Sequence, residues 1–177
     1  MDRVVVCYLA VSLDGMIADS GGGVAWMEGE EKSYRGDYGY SAFLDTVDTI
    51  VMGRNTYHQL VTKLVPDKWV YEERLTYVMT HHAMEEREGV SARDGSVRDL
   101  IRELKAKEGK HIWICGGADV INQCIREDVI DLYRVLPVIL GTGVPLFRSD
   151  LPSRLLHLKQ INRENGAAEL IYERRIL

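Results

Sequence analysis

Residues 47–57, VDTIVMGRNTY, decide the fold. Thr49-Ile50-Val51-Met52 is an apolar, β-branched run with the pattern of a buried strand, and it ends at Gly53. Arg54-Asn55-Thr56 then open a helix that continues from Tyr57 toward Val61. A strand that enters a helix through glycine leaves unpaired backbone N–H groups at the positive end of the helix dipole. Gly53 admits an anion to the backbone, Arg54 offers a fork of donors and Thr56 adds a hydroxyl, so the corner suits a phosphate. Any protein of alternating strands and helices has such turns, and Arg54 reads equally as a surface charge.

A second corner repeats the design. His111-Ile112-Trp113-Ile114-Cys115 is another buried-strand pattern, and it runs through Gly116-Gly117-Ala118-Asp119 into the helical stretch Val120–Arg126. Paired glycines at a strand exit suit a backbone that must come into contact with a ligand or take an unusual dihedral. This is the shape that receives a pyrophosphate. The spacing is not the G-x-G-x-x-G of a Rossmann fingerprint, so a dinucleotide would be held another way. Tight helix–sheet packing is the competing explanation.

Composition sets bounds. A chain of 177 residues is one domain, 1–177, by length, and can bury a sizeable core. The net charge of −5 with both signs interspersed offers no basic face for nucleic acid. Val4–Leu13 is apolar but short, β-branched and closed by Asp14-Gly15, so it reads as a first strand rather than a signal peptide. No apolar run is long enough to span a membrane. The three cysteines, Cys7, Cys115 and Cys124, fall within strand or helix patterns and read as buried reduced thiols of a cytoplasmic protein. They have no metal-ligand spacing, so no metal is expected.

Strands are expected near 3–11, 47–53, 75–80, 89–92, 111–115, 130–138, 155–162 and 167–175, and helices near 37–46, 55–63, 96–107 and 118–126. Ser96-Val97-Arg98-Asp99 reads as a capping box for the third helix, with Asp in place of Glu. The alternation calls for an α/β fold with a largely parallel sheet covered on both faces. Asn165-Gly166 between the last two strands marks an antiparallel hairpin. Loops are expected at Ser20–Gly23 and at 62–73. The Gly and Pro of 140–147 read as turn chemistry, with Leu146-Phe147 in the core.

Together these stretches resemble the dihydrofolate reductase superfamily, and especially its branch related to the C-terminal reductase domain of riboflavin biosynthesis. The pieces that carry the resemblance stand in order: LAVSLDGMIA (9–18), Trp26, DTIVMGRNTY (48–57), TYVMT (76–80), IWICGGADVI (112–121) and IDLYRVLPVILGTGVPLF (130–147). The resemblance implies a three-layer dihydrofolate reductase-like fold and NADPH as cofactor. On it, Gly53, Arg54, Asn55 and Thr56 match a phosphate-binding turn, and Thr80, followed by His81, stands beside the adenosine 2′-phosphate. Cys115, Gly116, Gly117, Ala118 and Val120 match the turn against the nicotinamide and pyrophosphate. Asp119 departs from relatives that carry a basic residue there. Ala10, Ile17 and Ala18 match the strand and flexible loop that close over the nicotinamide.

Hydride transfer needs a nearby proton source. Asp37 is the candidate, fifteen residues before Met52, where folate reductases of the superfamily carry their active-site carboxylate. Asp37 is equally suited to be a helix N-cap. Tyr34, Tyr38, Tyr40 and Phe43 surround it and would supply a flat cleft for a ring, with Trp26, Tyr34, Tyr38 and Val135 as substrate-binding candidates. Val135 replaces the Thr of folate reductases, and Pro66-Asp67-Lys68 stands where they hold the folate tail with Arg. Both changes argue against ordinary dihydrofolate. The expected activity is an NADPH-dependent reductase acting on a heterocyclic or ribosyl-pyrimidine compound. Dihydrofolate reductase proper, or a non-catalytic nucleotide-binding protein on the same scaffold, is the alternative. Leu155–Leu158 and Ala168–Tyr172 suit a homodimer interface or simply the end of the sheet.

Overall fold

The computed structural model describes residues 3–12, 14–27, 33–66, 68–85, 87–136, 142–148, 150–152 and 154–174; the side chains of 134–136 lie outside that set. Among these residues the elements run β1 (Val5–Ala10), β2 (Met16–Ala18), α1 (Tyr40–Asp45), β3 (Val47–Gly53), α2 (Arg54–Gln59), β4 (Leu75–Met79), β5 (Val90–Arg93), α3 (Val97–Lys105), β6 (His111–Gly116), α4 (Ala118–Arg126), β7 (Leu132–Leu136), β8 (Val144–Pro145), β9 (Leu156–Glu164) and β10 (Ala167–Arg174). Eight strands form one sheet in the order β5-β4-β3-β6-β1-β7-β10-β9. Neighbours are parallel from β5 through β7, and β10 runs antiparallel to both β7 and β9.

The apolar runs of β1, β3 and β6 are continuous because the sheet is covered on both faces. Successive side chains alternate between two cores. Val5, Cys7, Val51, Ile112 and Ile114 meet Leu100, Ile101, Leu104, Ile121 and Cys124 of α3 and α4. Val6, Tyr8, Ile50, Met52 and Trp113 meet Phe43 of α1 together with Trp69 and Tyr71. Trp113 anchors the second core: its ring packs against Tyr40, Phe43 and Tyr71, and its indole N–H donates to the Tyr8 carbonyl at 2.9 Å. At the opposite, N-terminal end of the sheet, buried Arg3 donates to Asp48 and to Thr49 Oγ1, tying β3 to the chain start.

Several local expectations need correction. Ser96 precedes α3 but makes no side-chain cap bond, and Asp99 pairs with Arg102 at 2.8 Å instead of reaching back, so the capping box does not form. α1 begins at Tyr40 rather than 37, because Tyr38 and Gly39 hold positive φ (54° and 76°), which helix geometry forbids. α2 widens into a π turn at Leu60–Leu64, and the expected loop that follows carries buried Trp69 and Tyr71. Residues 137 and 138 of the expected seventh strand lie outside the described residues. Leu146 is buried as expected, whereas Phe147 is 53% exposed.

A small second sheet was not legible. β2 pairs antiparallel with β8, Met16 opposite Pro145 and Ala18 opposite Val144. Three- and two-residue strands are too short to show a period. The close approach depends on Gly143, where an added Cβ would lie 2.1 Å from the Ala18 carbonyl oxygen. The Asn165-Gly166 hairpin is present, both residues at positive φ (44° and 76°), as a two-residue turn between twisted strands requires.

Candidate active site

The strand order reverses around β1, which lies between β6 and β7, and a crevice opens beyond the carboxyl ends of such strands. Here it is a cleft of about 730 Å³. Its floor is the end of β1 and of β6, from Tyr8 to Ala10 and from Cys115 to Gly117. Ile17 and Ala18 of β2 cover one side, with Trp26 beyond them. Thr56, Gln59 and Leu60 of α2 and its π turn form another side, and Asp37, Tyr38, Asn165 and Gly166 close the far end. The Gln59 amide donates to the Gly22 carbonyl at 2.9 Å and so ties the 19–24 loop to α2. The Trp26 indole N–H is buried without a hydrogen-bond partner among the described residues, an arrangement that a ligand acceptor would relieve.

The far end is stitched to the β9–β10 turn. Asn165 donates to the Tyr38 hydroxyl at 2.7 Å, Tyr34 donates to Glu164, and the Tyr34 and Tyr38 rings meet at a tilt of 45° with centroids 5.0 Å apart. Asp37 is exposed, and its carboxylate accepts the backbone N–H groups of Gly39 (3.0 Å) and Ser41 (2.8 Å). Hydrogen bonding by Ser41, with a further contribution from the Gly39 amide, holds the carboxyl below its ordinary value. Asp37 is therefore ionised at neutral pH and still lines the cleft. The pKa of Tyr40, its hydroxyl 3.1 Å from that of Tyr71, is pushed up by burial, so the phenol stays neutral. Burial also pushes the Cys115 thiol up to about 12, although the residue as a whole is half-buried.

The two glycine corners sit side by side because β3 pairs with β6. Gly53 and Gly117 are the residues before α2 and α4, and neither helix start has a side-chain cap, so the first-turn N–H groups of both remain to be satisfied. Close packing explains the glycines. A Cβ on Gly53 would meet Val120 at 3.2 Å, and one on Gly117 would meet Thr56 Oγ1 at 3.2 Å. The peptide bond between Gly116 and Gly117 is cis. Arg54 and Asn55 are exposed, and Arg54 makes no ion pair among the described residues. Thr80 accepts the His82 N–H at 3.0 Å, leaving its own hydroxyl proton free, while His81 is paired with Asp94. Asp119 is bridged to Arg148, so its charge is compensated.

A profile of the RibD C-terminal domain matches residues 3–172. The chain belongs to the RibD C-terminal domain family. YwjB of Bacillus subtilis (strain 168), itself uncharacterized, is 38% identical over 177 residues and is covered over 99% of its length, against 98% of this chain. A crystal structure from Shewanella sp. PV-4, of a protein assigned to riboflavin biosynthesis, superposes with a TM-score of 0.85 at 29% identity, covering 98% of this chain and all of that one. Dihydrofolate reductase from Enterococcus faecalis, solved with NADP(H), superposes at 0.64 with 18% identity, covering 99% of this chain and 100% of its own. At that identity it shows a shared fold.

Of the residues singled out in the sequence, Ala10, Ile17, Ala18, Thr56, Cys115, Gly116 and Gly117 meet in the cleft, as do Trp26, Asp37 and Tyr38. Gly53, Arg54, Asn55, Ala118 and Asp119 lie at the adjoining helix starts, and Val120 is buried against Gly53. Thr80 and His81 follow β4, next to β3. Tyr34 stands behind Tyr38, outside the lining, and Phe43 belongs to the core. Val135 pairs with Leu9 and Leu170, and its side chain lies outside the described residues. Tyr8, Gln59 and Asn165 escaped notice. Tyr8 was legible as a polar-tipped aromatic in an apolar strand, whereas Asn165 reads as turn chemistry, and only the fold brings that turn to the cleft.

Proposed function

We propose that this chain is an NADPH-dependent reductase that transfers hydride to a heterocyclic or ribosyl-pyrimidine compound. The observation that carries this reading is the junction of the cleft with two glycine-started helices beside Arg54, which makes no ion pair among the described residues. The arrangement fits a dinucleotide: Arg54, Thr56 and Thr80 would hold phosphates, and Ala10, Ile17 and Gly116-Gly117 would flank the nicotinamide. The bound cofactor supplies hydride; the rest falls to the protein. The aromatic walls orient a flat ring, and β2 with the 19–24 loop excludes water. Asp37, ionised and exposed, is a poor direct acid at neutral pH, so its role is to orient a water or a ring N–H through which the proton arrives.

Titration of the purified protein with NADPH and with NADH, followed by tryptophan quenching, tests this. NADPH is expected to bind about tenfold or more tighter, because the 2′-phosphate needs a charge partner. Arg54→Ala should remove most of that preference. Binding of neither nucleotide would overturn the reading. A non-catalytic nucleotide-binding protein is the second reading, favoured by the commitment of Asp37 to two backbone amides. Retention of turnover and NADPH affinity in Asp37→Asn would rule Asp37 out as the proton route.

The three unpaired thiols support a reducing, cytoplasmic setting. The edge strand supports a homodimer. A register shift in the β9–β10 pairing, Gln160 opposite Ile171 but Leu158 opposite Tyr172, leaves Lys159 as an extra residue. The bulge restores phase, so Leu156, Leu158 and Ile161 share one face. Leu158 is 42% and Ile161 53% exposed, an apolar edge that a monomer normally avoids. Sedimentation should give the mass of two chains, and Leu158→Lys with Ile161→Lys the mass of one. A monomeric parent protein would contradict the assignment.

A further inference from the structure

The segment after β8 brings a cation to the start of α4. Asn122 of α4 is fully buried, and its side-chain amide donates to the Leu146 carbonyl at 2.8 Å and to the Ala118 carbonyl at 2.6 Å. Its side-chain carbonyl accepts the backbone N–H of Arg148 at 3.1 Å. The partners of Asn122 are all main-chain groups, so they fix the path of residues 146–148 across α4 whatever side chain stands at 148. From that anchor the Arg148 guanidinium reaches back about one turn toward the helix start and pairs with Asp119. Asp150, two residues further along the chain, is held instead by Arg126 at 2.7 Å.

The Arg148–Asp119 pair lies in solvent, its side chains 53% and 68% exposed, and an exposed pair of this kind contributes little to stability. Its position is more telling. α4 begins at Gly117, which has no side chain to cap it, so the first-turn N–H groups and the positive end of the dipole draw an anion there. A phosphate seated at that turn meets the Asp119 carboxylate, and Arg148 is a cation that the fold holds against it. Resting on the dinucleotide reading of the cleft, we propose that Arg148 is a ligand of the cofactor pyrophosphate. Its guanidinium exchanges the Asp119 carboxylate for phosphate oxygens at the first turn of α4. The exchange replaces a weak exposed pair by a two-pronged, charge-assisted bond to a more highly charged partner. A residue 29 positions downstream thus supplies the positive charge that residue 119 withholds. Arg148 serves the part common to NADPH and NADH, whereas Arg54 is assigned to the 2′-phosphate.

Calorimetric titration of the full chain with NADPH, with NADH and with inorganic pyrophosphate tests the assignment, in the parent, Arg148→Ala, Asp119→Asn and the double variant. Arg148→Ala is expected to weaken NADPH and NADH about tenfold each. Asp119→Asn removes the competing carboxylate and should tighten both about threefold. The discriminating comparison is Arg148→Ala in the Asp119→Asn background. A cation that touches the phosphates still costs about tenfold when removed there. One that only neutralises Asp119 costs nothing, and that result would overturn the proposal. A loss confined to NADPH would move Arg148 to the 2′-phosphate and overturn the pyrophosphate assignment as well. If the parent binds neither nucleotide, the reductase reading fails and inorganic pyrophosphate decides alone. Binding that Arg148→Ala weakens keeps the anion site, while unchanged binding, or none, removes it. The urea midpoint should stay at the parent value in all three variants, because Asn122 holds the backbone of residue 148 and not its side chain.

Discussion

Trp113→Ala is expected to lower the unfolding free energy by about 3–5 kcal/mol, the usual cost of deleting a large buried aromatic. The indole contacts three rings at centroid distances of 6.0 Å (Tyr40), 5.5 Å (Phe43) and 5.6 Å (Tyr71), and it supplies a hydrogen bond to the Tyr8 carbonyl. These partners come from β1, α1 and the segment before β4, so the loss is felt across one whole face of the sheet. Domains of this size hold about 5–15 kcal/mol in total, so the loss is a large fraction of the whole. Urea unfolding should show the midpoint falling sharply. Trp113→Phe, which keeps most of the ring and loses the hydrogen bond, should cost about 1–2 kcal/mol. Equal losses in the two variants would mean that the hydrogen bond, not the packing, dominates.

Gly117→Val is expected to abolish nucleotide binding while leaving the fold in place. Gly117 has extended φ and ψ (−74° and −165°), open to any residue, so the backbone itself takes no strain. The added Cβ would lie 3.2 Å from Thr56 Oγ1, and the two further methyl groups would fill the space between α2 and α4 where the phosphates are proposed to sit. NADPH affinity should fall by about a hundredfold or more, which corresponds to about 2.7 kcal/mol. The urea midpoint should move little. Gly116 makes the contrast, since its φ of 123° disfavours any side chain and Gly116→Val would disturb fold and site together. Undiminished NADPH binding by Gly117→Val would remove this turn from the proposed cofactor site.

The long parallel strands were legible because each is an apolar run that two covering layers bury on both sides. β3 spans 47–53 and α4 spans 118–126 at the expected bounds. The Asn165-Gly166 hairpin was legible from its dipeptide. β2 and β8 were not, because their pairing is held by the approach of Gly143 to Ala18 rather than by a local pattern. Asp37 shows the limit of reading a site from sequence. Its position beside aromatic residues pointed to the cleft, but its exposure and its bonds to Gly39 and Ser41 follow from the positive φ of Tyr38 and Gly39, which no spacing announces. Asp119, which looked unfavourable for phosphate, is compensated by Arg148, a partner 29 residues away that only the fold supplies.

A crystal structure of the full chain grown with NADPH bears most directly on the proposal that this cleft is a dinucleotide-dependent reductase site. The account predicts the nicotinamide against Ala10, Ile17 and the Gly116-Gly117 turn, with the phosphates at Arg54 and the first turn of α4. A nucleotide bound elsewhere, or a cleft still without one at saturating concentration, would contradict it.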